Sequence, residues 1–281
     1  MKFLNGILFV FSHPLNKENF FSTFFRLIWW KCNQLFFHLP TVVLLTNKIR
    51  CICYPDSSYG SLIIYTRLPE YEEMNYVLKT LQKDSVFVDI GAGLGDYSLL
   101  AASKINKGKI FAFEPHPIAF KQLLENVRLN RLEKTVSTYN IALSNQTGKV
   151  SFLANDVSEL SSISLDKNFN TIEVATITID EFCQKNELSK IDLMKIDVEG
   201  AEHLVLSGAN KFLSQHRIKR ILIELNPRSE TLVNKSVEDT LVLLERAKYT
   251  FFKFDRKLFR VSIEQIISDG KTQNILAMAK E

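Results

Sequence analysis

The sequence predicts an α/β fold of the Rossmann-like, doubly wound type. We expect a mostly parallel, seven-stranded sheet that follows an N-terminal extension of helices and short strands. From residue 84 onward, apolar runs alternate with amphipathic helical patterns, which is typical of parallel strands joined by helices on both faces of a sheet. The apolar run 86–90 leads directly into the glycine-rich turn Gly91-Ala-Gly-Leu-Gly95. Because ligands of such sheets bind beyond the carboxyl ends of the strands, this turn marks the expected site.

The elements of this sheet follow from the period of the apolar residues. Strands are predicted over residues 86–90, 110–113, 136–142, 193–196, 220–225, 251–254 and 273–279. Helices are predicted over residues 96–104, 117–130, 180–185, 201–213 and 237–248. Two further segments, 149–153 and 173–178, are expected to form an added hairpin, with a polar loop around residues 158–164 between them.

The N-terminal extension is predicted to contain a helix and a small β unit. Phe20, Phe24 and Ile28 recur every fourth residue, as do Phe21, Phe25 and Trp29, so they form an apolar stripe on one helix. Residues 41–45, 49–54 and 62–65 are rich in β-branched and aromatic residues and are expected to be strands. A helix over 70–81 then leads into the larger unit, so we divide the chain into residues 1–69 and 70–281.

Two interpretations of the aromatic helix remain open. It could pack on the catalytic domain or on a second copy of the chain, which would make the protein a homodimer. Alternatively, residues 18–37 could contact a membrane peripherally, with Lys17, Arg26 and Lys31 near anionic headgroups. No apolar run is long enough for a transmembrane helix, and a cleaved signal peptide is rejected because no small-residue cleavage site follows residues 6–10.

The charge distribution limits the partners that we expect for this protein, and the cysteine content limits the cellular compartment. Residues 1–83 carry nine Lys or Arg and five Asp or Glu, and the rest of the chain carries 26 of each. A nucleic-acid enzyme more often has a basic catalytic face, so no nucleic-acid partner is expected. The four cysteines include no Cys-x-x-Cys pair and are predicted to be structural thiols. The protein is therefore expected in the reducing cytoplasm, with the inner face of the membrane as the alternative place.

The glycine-rich turn predicts a nucleoside site. Gly91, Ala92, Gly93 and Gly95 let the backbone approach a ligand and adopt positive φ. A dinucleotide fingerprint would need its third glycine further along, and the Gly-Lys-Ser/Thr of a phosphate loop is absent. Asp89, directly before the turn, would repel a pyrophosphate. It suits a ligand with an ammonium group and a sulfonium centre, such as S-adenosylmethionine.

The ends of the next two strands are predicted to complete this cofactor site. Glu114 ends the second strand, where a carboxylate can accept both hydroxyls of a ribose, and Pro115 fixes the exit from that strand. Asn140 ends the third strand and could hydrogen-bond the adenine edge, while Ala142 packs on the face of the base. For Asn140, a simple turn-forming role is the open alternative.

A second group of carboxylates is predicted to handle the acceptor. Asp197 ends the fourth strand and points into the crevice, where it could orient the acceptor hydroxyl or act as its base. Glu199 and Glu202 follow at the start of the next helix, where helix capping is the competing explanation. Glu224 ends the fifth strand on the same rim. Paired carboxylates could instead hold a divalent cation, and the sequence leaves the metal undecided.

These residues together resemble the FkbM-type methyltransferases, a branch of the class I S-adenosylmethionine-dependent enzymes. The matching pieces are Val86-Phe-Val-Asp-Ile-Gly-Ala-Gly-Leu-Gly-Asp-Tyr-Ser, Phe111-Ala-Phe-Glu-Pro, Asn140-Ile-Ala-Leu-Ser and Asp192-Leu-Met-Lys-Ile-Asp-Val-Glu-Gly-Ala-Glu. The resemblance covers roughly residues 70–280, and the family commonly has Asn where this chain has Gly93. It implies O-methylation of a hydroxyl on a sugar, a glycolipid or polysaccharide, or a secondary metabolite.

Two other functions are compatible with this fold. A nucleic-acid or protein methyltransferase would share the fold, but the amino-methylating kind usually places Asn/Asp-Pro-Pro-aromatic after the fourth strand, where this chain has Asp197-Val-Glu-Gly. A non-catalytic binding protein of the same fold would have no need of the carboxylates at the strand ends. The resemblance therefore favours an enzyme with a small-molecule or glycan acceptor.

Overall fold

The computed structural model describes residues 2–153, 162–163, 171–227 and 229–280. Its helices are α1 Lys2–Ser12, α2 Phe20–Cys32, α3 Ser58–Thr66, α4 Tyr71–Thr80, α5 Asp96–Ala102, α6 Pro117–Leu129, α7 Ile179–Lys185, α8 Glu202–Ser207, α9 Asn210–Ser214, α10 Ser229–Val233, α11 Val237–Arg246 and α12 Ile263–Ile267, with a π-helical turn Asn33–Phe37 after α2. Its strands are β1 Thr41–Leu44, β2 Arg50–Cys53, β3 Val86–Ile90, β4 Lys109–Phe113, β5 Val136–Tyr139, β6 Ala142–Leu143, β7 Gly148–Leu153, β8 Ser162–Ile163, β9 Thr171–Ile177, β10 Leu193–Ile196, β11 Arg220–Leu225, β12 Tyr249–Asp255, β13 Lys257–Val261 and β14 Gln273–Ala279.

The central sheet confirms the doubly wound α/β class. Its order is β13-β12-β14-β11-β10-β3-β4-β5. The five strands from β11 to β5 run parallel, and β14 is antiparallel to both of its neighbours. The prediction of seven strands was wrong by one within the described residues, because β13 was missed. β13 lies at the edge of the sheet and most of it is exposed, so it lacks the regular burial that gives a central strand its clear apolar pattern.

The register of the central strands brings three strand ends together. Asp89 on β3 pairs with Lys195 on β10, and Ile90 pairs with both Ile196 on β10 and Phe113 on β4. The residues that follow β4 and β10 therefore lie level with the glycine turn that follows β3. This register is possible because these strands are apolar along almost their whole length, which buries both faces of the sheet.

Both faces of the sheet are covered. One face buries Val88, Ile90 and Phe113 against α7, α8, α9 and α11. The other buries Phe87 and Ile110 against α4 and α5. The same core continues into the N-terminal extension, which contributes these buried apolar side chains to it: Val10, Trp30, Leu45, Cys51 and Ile63. The proposed division at residues 69 and 70 stays a prediction, and apolar contacts cross it.

Three boundaries in the chain differ from the prediction. Residues 62–65 lie in helix α3 and not in a strand, because the Ser57 hydroxyl accepts the Gly60 N–H at 2.7 Å and caps the helix. The predicted strand 136–142 is broken at Asn140, and its last part, β6, joins a separate sheet of order β6-β9-β7-β8. The predicted helix 201–213 is two helices, α8 and α9, which meet at Gly208.

The hairpin Thr41–Leu44 with Arg50–Cys53 and the added hairpin of β7 with β9 are confirmed. Most of the polar loop around 158–164 lies outside the described residues. Within the part of the chain that is described, no helix has the length and apolarity needed to cross a bilayer.

Candidate active site

A cleft opens over the carboxyl ends of β3, β4 and β10. It encloses about 1040 Å³ of empty space, part of it open to solvent, between the glycine turn and the strand ends. Most of the predicted cofactor residues line it: Asp89, Gly91, Ala92, Gly93, Glu114, Pro115 and Ala142. Such a concave space with a few convergent polar groups is typical of a small-molecule site.

The glycine turn is shaped by close approach as well as by positive φ. Gly91 (φ 75°), Gly93 (φ 54°) and Gly95 (φ 93°) all adopt the left-handed region. A Cβ atom on Gly91 would lie only 1.8 Å from the Asp197 carbonyl oxygen, whereas one on Gly93 would meet nothing within 4 Å. Gly91 therefore lets the turn pack against the end of β10, and Gly93 leaves the cleft floor open.

Asp89 lies at the bottom of the cleft in a buried, hydrogen-bonded position. Its carboxylate accepts a hydrogen bond from the Ser98 hydroxyl at 2.7 Å, and only 1% of the residue is exposed. Burial raises the pKa of Asp89 to about 6, although nearby Lys195 acts to lower it. A carboxylate that is costly to bury alone favours a cationic partner, and the ammonium group of an amino acid would suit it.

Glu114 is held in one orientation by the backbone. Its Oε2 atom accepts the Gly93 N–H and its Oε1 atom accepts the His116 N–H, both at 2.8 Å. Each carboxylate oxygen keeps a second lone pair, so two hydroxyls can still donate to it. Burial raises the pKa of Glu114 to about 7, which leaves it poised to gain charge when hydroxyl donors arrive.

Asn140 and Ala142 have different positions. The Asn140 amide donates to the carbonyls of Glu114 at 2.8 Å and Pro115 at 3.1 Å, so it fixes the backbone where the chain leaves β4. Asn140 is not among the residues that line the cleft. Ala142 does line it, with apolar neighbours Ile141, Leu143 and Phe152. This apolar wall offers a flat aromatic base a surface to pack on.

Beside the cleft, carboxylates from the ends of β10 and β11 converge; Asp197 and Glu199 line the cleft, and Glu224 does not. One oxygen each from Asp197, Glu199 and Glu224 lie within 4.8 Å of one another, and the Asn226 amide donates to Glu199 at 2.7 Å. Burial, and then the charge of Asp197, raise the pKa of Glu224 to about 9. The raised pKa favours the protonated form of Glu224, which can donate a hydrogen bond, whereas an ionised carboxylate in this cluster can only accept one.

Lys195 supplies the positive charge in this cluster. Its ammonium lies 2.7 Å from Asp197 Oδ2 and 4.5 Å from the centre of the Tyr97 ring, and 3% of the residue is exposed. Burial acts to lower the pKa of Lys195, but Asp197, Glu70 and Asp89 outweigh it and the pKa is raised. From the sequence, Lys195 was expected to be structural, although its spacing of two from Asp197 places both residues on one face of the strand.

Glu202 and Gly95 lie apart from the lining of the cleft. Glu202 is 2% exposed and its Oε1 atom accepts the Gly200 N–H at 2.7 Å. Burial raises its pKa to about 8. Gly95 precedes α5 and packs against Leu123, whose Cδ1 atom would lie 2.5 Å from an added Cβ. Both therefore support the loops on either side of the cleft.

Two cleft residues come from segments that the sequence analysis did not connect with the site. Tyr59 of α3 donates to Asp96 Oδ2 at 2.8 Å, and both line the cleft. Asp96 directly follows the glycine turn, a signal that could have identified it. Nothing local marks Tyr59, because only the packing of the N-terminal extension brings it to the turn. Burial raises the pKa of Asp96 to about 7.

Comparison with known proteins identifies the relatives of this chain. Residues 89–251 match the family model described as the methyltransferase FkbM domain. Among curated proteins, the chain is 28% identical over 157 residues to the hexuronic acid methyltransferase AglP of Haloferax volcanii, covering 56% of this chain and 62% of that protein. It is 28% identical over 163 residues to the 2-O-methyltransferase NoeI of Sinorhizobium fredii, covering 50% and 64%. The matches thus span just under two thirds of either relative.

A solved structure of similar class is that of methyltransferase FkbM from Methylobacillus flagellatus. It is 15% identical to this chain, with a TM-score of 0.46, and the match covers 79% of this chain and 55% of that one.

Proposed function

This chain belongs to the FkbM methyltransferase family, and from that premise we propose that it transfers a methyl group from S-adenosylmethionine to a hydroxyl of a sugar or small-molecule acceptor. The observation that carries the proposal is the shared cleft, which is lined by the glycine turn together with Asp89, Glu114 and Asp197. The names of the relatives, a hexuronic acid methyltransferase and a 2-O-methyltransferase, support an acceptor with sugar hydroxyls.

The cofactor half of the cleft fits S-adenosylmethionine by its donor set. Asp89 would hold the ammonium group, Glu114 would accept the ribose hydroxyls, and the wall of Ile141, Ala142 and Leu143 would pack on the adenine. Charge-assisted hydrogen bonds of this kind contribute about 1.5–3 kcal/mol each. The open space beside Gly93 leaves room for the ligand next to the backbone.

The acceptor half would orient one hydroxyl and take its proton. When bound, S-adenosylmethionine supplies an electrophilic methyl group on its sulfonium. Asp197 accepts the hydrogen bond of the attacking hydroxyl and receives its proton as the O–CH₃ bond forms and the S–CH₃ bond breaks. Lys195 holds the Asp197 carboxylate in place. Positioning of this kind accounts for roughly 7–11 kcal/mol of the barrier, and a base adds on the order of 10²–10⁴-fold.

Calorimetry with S-adenosylmethionine tests this proposal at the first step. We expect the wild type to bind and the Asp89→Ala variant to lose most of its affinity. Absence of binding by the wild type would sink the methyltransferase proposal. Mass spectrometry of glycans and glycolipids from cells with and without the protein then identifies the acceptor, since each lost methyl group lowers the mass by about 14 units (one CH₂). An unchanged glycan profile would instead favour a secondary metabolite.

A second proposal concerns a divalent cation. Asp197, Glu199 and Glu224 are close enough together to share one, and a bound cation would acidify the acceptor hydroxyl. The Lys195 ammonium already balances Asp197 in the same place. Activity is measured after treatment with a chelator, with and without added Mg²⁺ or Mn²⁺. This measurement shows whether a cation is needed beside the Lys195 ammonium. Full activity without metal contradicts the cation proposal.

We also propose that residues 18–37 contact a membrane peripherally, at its anionic inner face. The aromatic side chains of α2 on its outer side are exposed, with Phe21 at 76% and Phe25 at 66%, so this stripe does not pack on the catalytic core. A homodimer that covers the same stripe is the competing arrangement, and its test is described below.

A further inference from the structure

An extended apolar surface covers the outside of the N-terminal extension. In the part of the chain whose side chains are described, 20 large hydrophobic residues are exposed, and 15 of them lie between residues 8 and 44. We call these 15 the apolar face: Leu8, Phe9, Leu15, Phe20, Phe21, Phe24, Phe25, Ile28, Trp29, Leu35, Phe36, Phe37, Leu39, Val42 and Leu44. At 150–250 Å² for each aromatic side chain, the exposed area is on the order of 1,000 Å². This exceeds the largest patch of a typical soluble monomer.

The face is one surface and not a set of scattered side chains. The rings of Phe11 on α1 and Phe20 on α2 stack with their centres 4.7 Å apart, and α2 continues directly into the π-helical turn that carries Phe36. It includes more than the predicted residues 18–37, because exposed apolar residues of α1 and β1 also belong to it.

The charges around the face are complementary to an anionic bilayer. Residues 1–50 contain six Lys or Arg and one acidic residue, Glu18. Lys17, Lys31 and Lys48 are exposed, and each such cation near an anionic surface favours binding. Arg26 is not part of this set. Its guanidinium donates to Asn16 Oδ1 and to the Tyr65 carbonyl, both at 2.7 Å, and so holds α2 to α3.

Helix α3, which packs against the inner side of α2, also forms part of the cleft wall. The Trp30 indole N–H of α2 donates to the Ser61 hydroxyl of α3 at 2.9 Å, and Tyr59, two residues earlier on α3, lines the cleft and bonds Asp96. Two residues are about 3 Å apart along a helix axis. Since packed helices lie about 8–10 Å apart, two helical layers of roughly 20 Å separate the apolar face from the cleft.

We infer that the acceptor is a lipid-anchored saccharide, presented to the cleft by an anionic bilayer on which the apolar face rests. The inference rests on the proposed function and adds to it the class of acceptor. The lipid anchor stays in the bilayer, and the sugar spans the two helical layers to reach Asp197. Confining enzyme and acceptor to one surface raises the effective concentration of the acceptor, which a soluble acceptor would not gain.

Vesicle binding by the full chain tests the surface. We would use vesicles of phosphatidylcholine alone and of equal parts phosphatidylcholine and phosphatidylglycerol. The wild type should bind the anionic vesicles more tightly. A combined Phe21→Ser, Phe25→Ser and Phe36→Ser variant should lose at least about a hundredfold in affinity. The matched control replaces three exposed apolar residues elsewhere (Leu258→Ser, Phe259→Ser and Ile267→Ser) and should bind as the wild type does.

Methyl transfer tests the acceptor. Cell membranes are incubated with the enzyme and radiolabelled S-adenosylmethionine, then separated into organic-extractable and water-soluble fractions. We expect label in the organic-extractable saccharides, and its loss by at least tenfold with the triple Phe variant, whose affinity for S-adenosylmethionine and melting temperature should match those of the control.

Three results would overturn the inference. One is label only in water-soluble acceptors at a rate that the triple Phe variant leaves unchanged. The second is a wild-type protein that binds neither the neutral nor the anionic vesicles. The third is a dimer in solution that the triple Phe variant makes monomeric and that does not bind vesicles, which would assign the face to a second copy of this chain. A wild type that fails to bind S-adenosylmethionine would instead contradict the proposed function, so the two failures are distinguishable.

Discussion

At the scale of single residues, the cleft concentrates acidic groups around one lysine. Lys195 is buried between Asp197 and the Tyr97 ring, with Asp89 beside it in register on β3. A buried cation without a partner is expensive, and so is a buried carboxylate. The ion pair therefore holds the Lys195 ammonium and the Asp197 carboxylate in one position. Lys195 is thus a positioning residue, which affects the reaction through Asp197.

Removal of the lysine should separate catalysis from cofactor binding. We expect Lys195→Met to lower kcat by on the order of 10²-fold, because Asp197 loses the contact that orients it, while KM for S-adenosylmethionine changes by no more than about threefold. Lys190→Met is the matched control, since Lys190 also lies 2.7 Å from an aspartate two residues away, but at the surface. Steady-state kinetics measure both, and an unchanged kcat for Lys195→Met would refute the positioning role.

The roles of Asp89 and Glu114 in cofactor binding should be distinguishable with two ligands, only one of which carries an ammonium group. Asp89→Asn is expected to weaken S-adenosylmethionine by about 10–100-fold, the loss of one charge-assisted bond, but to leave methylthioadenosine unaffected, because that molecule lacks the ammonium group. Glu114→Gln should weaken both ligands, because both carry the ribose.

Calorimetry with each ligand gives the four affinities. The exposed Asp255→Asn variant serves as the control that changes charge without touching the cleft. Equal losses of both ligands in Asp89→Asn would contradict the assignment of Asp89 to the ammonium group.

At the scale of elements, the site depends on how closely the glycine turn packs on the neighbouring strand. The N–H groups of Gly91 and Ala92 both donate to the Phe113 carbonyl at 2.9 Å, so the turn is joined to β4. On its other side Gly91 touches the carbonyl of Asp197 after β10. The turn is thus held between the two strands that carry Glu114 and Asp197, which sets the spacing between the cofactor and acceptor halves.

Alanine at two positions of the same turn should have very different effects on stability. Gly91→Ala must push the Asp197 carbonyl away and also adopts φ 75°, so we expect it to lower the free energy of unfolding by about 3 kcal/mol or more. At Gly93 an added Cβ meets nothing within 4 Å, and only the φ of 54° is unfavourable for alanine. Gly93→Ala should therefore lower the free energy of unfolding by about 1–2 kcal/mol. Urea unfolding measures both.

A third glycine gives the baseline for that comparison. Gly6 lies in helix α1, and an added Cβ would meet nothing within 4 Å, so Gly6→Ala should be neutral or slightly stabilising. If Gly91→Ala and Gly93→Ala proved equally stable, the close approach to Asp197 would not limit the turn.

At the scale of the whole molecule, buried carboxyl groups should make stability fall as pH rises. Burial is the main cause of a raised pKa at five of them: Glu73 at about 7, Asp89 at about 6, Asp96 at about 7, Glu114 at about 7 and Glu202 at about 8. In the unfolded chain these groups lose their protons near pH 4. Between about pH 4 and pH 8 the folded state therefore binds more protons, and stability decreases as pH increases.

Thermal melting of the enzyme without cofactor should show this slope directly. We expect the melting temperature to fall between about pH 5 and about pH 8. Saturating S-adenosylmethionine should flatten the curve, because a cationic ligand next to Asp89 favours its charged form. A melting temperature that does not fall with pH over the same range would contradict the raised pKa values of these carboxyl groups.

The sequence by itself determined most strands and helices of the central sheet, the glycine turn, and the carboxylates at the strand ends. These depend on apolar period and turn chemistry, which are local, so strands such as β3 and β10 were predicted at their observed bounds. The tertiary structure alone decided that Lys195 lies against Tyr97, that Tyr59 reaches Asp96, that Asn140 bonds the backbone beside Glu114, and that the N-terminal aromatics face outward. Those facts depend on contacts between distant segments, and an amphipathic stripe shows which side chains share a face but not what covers it.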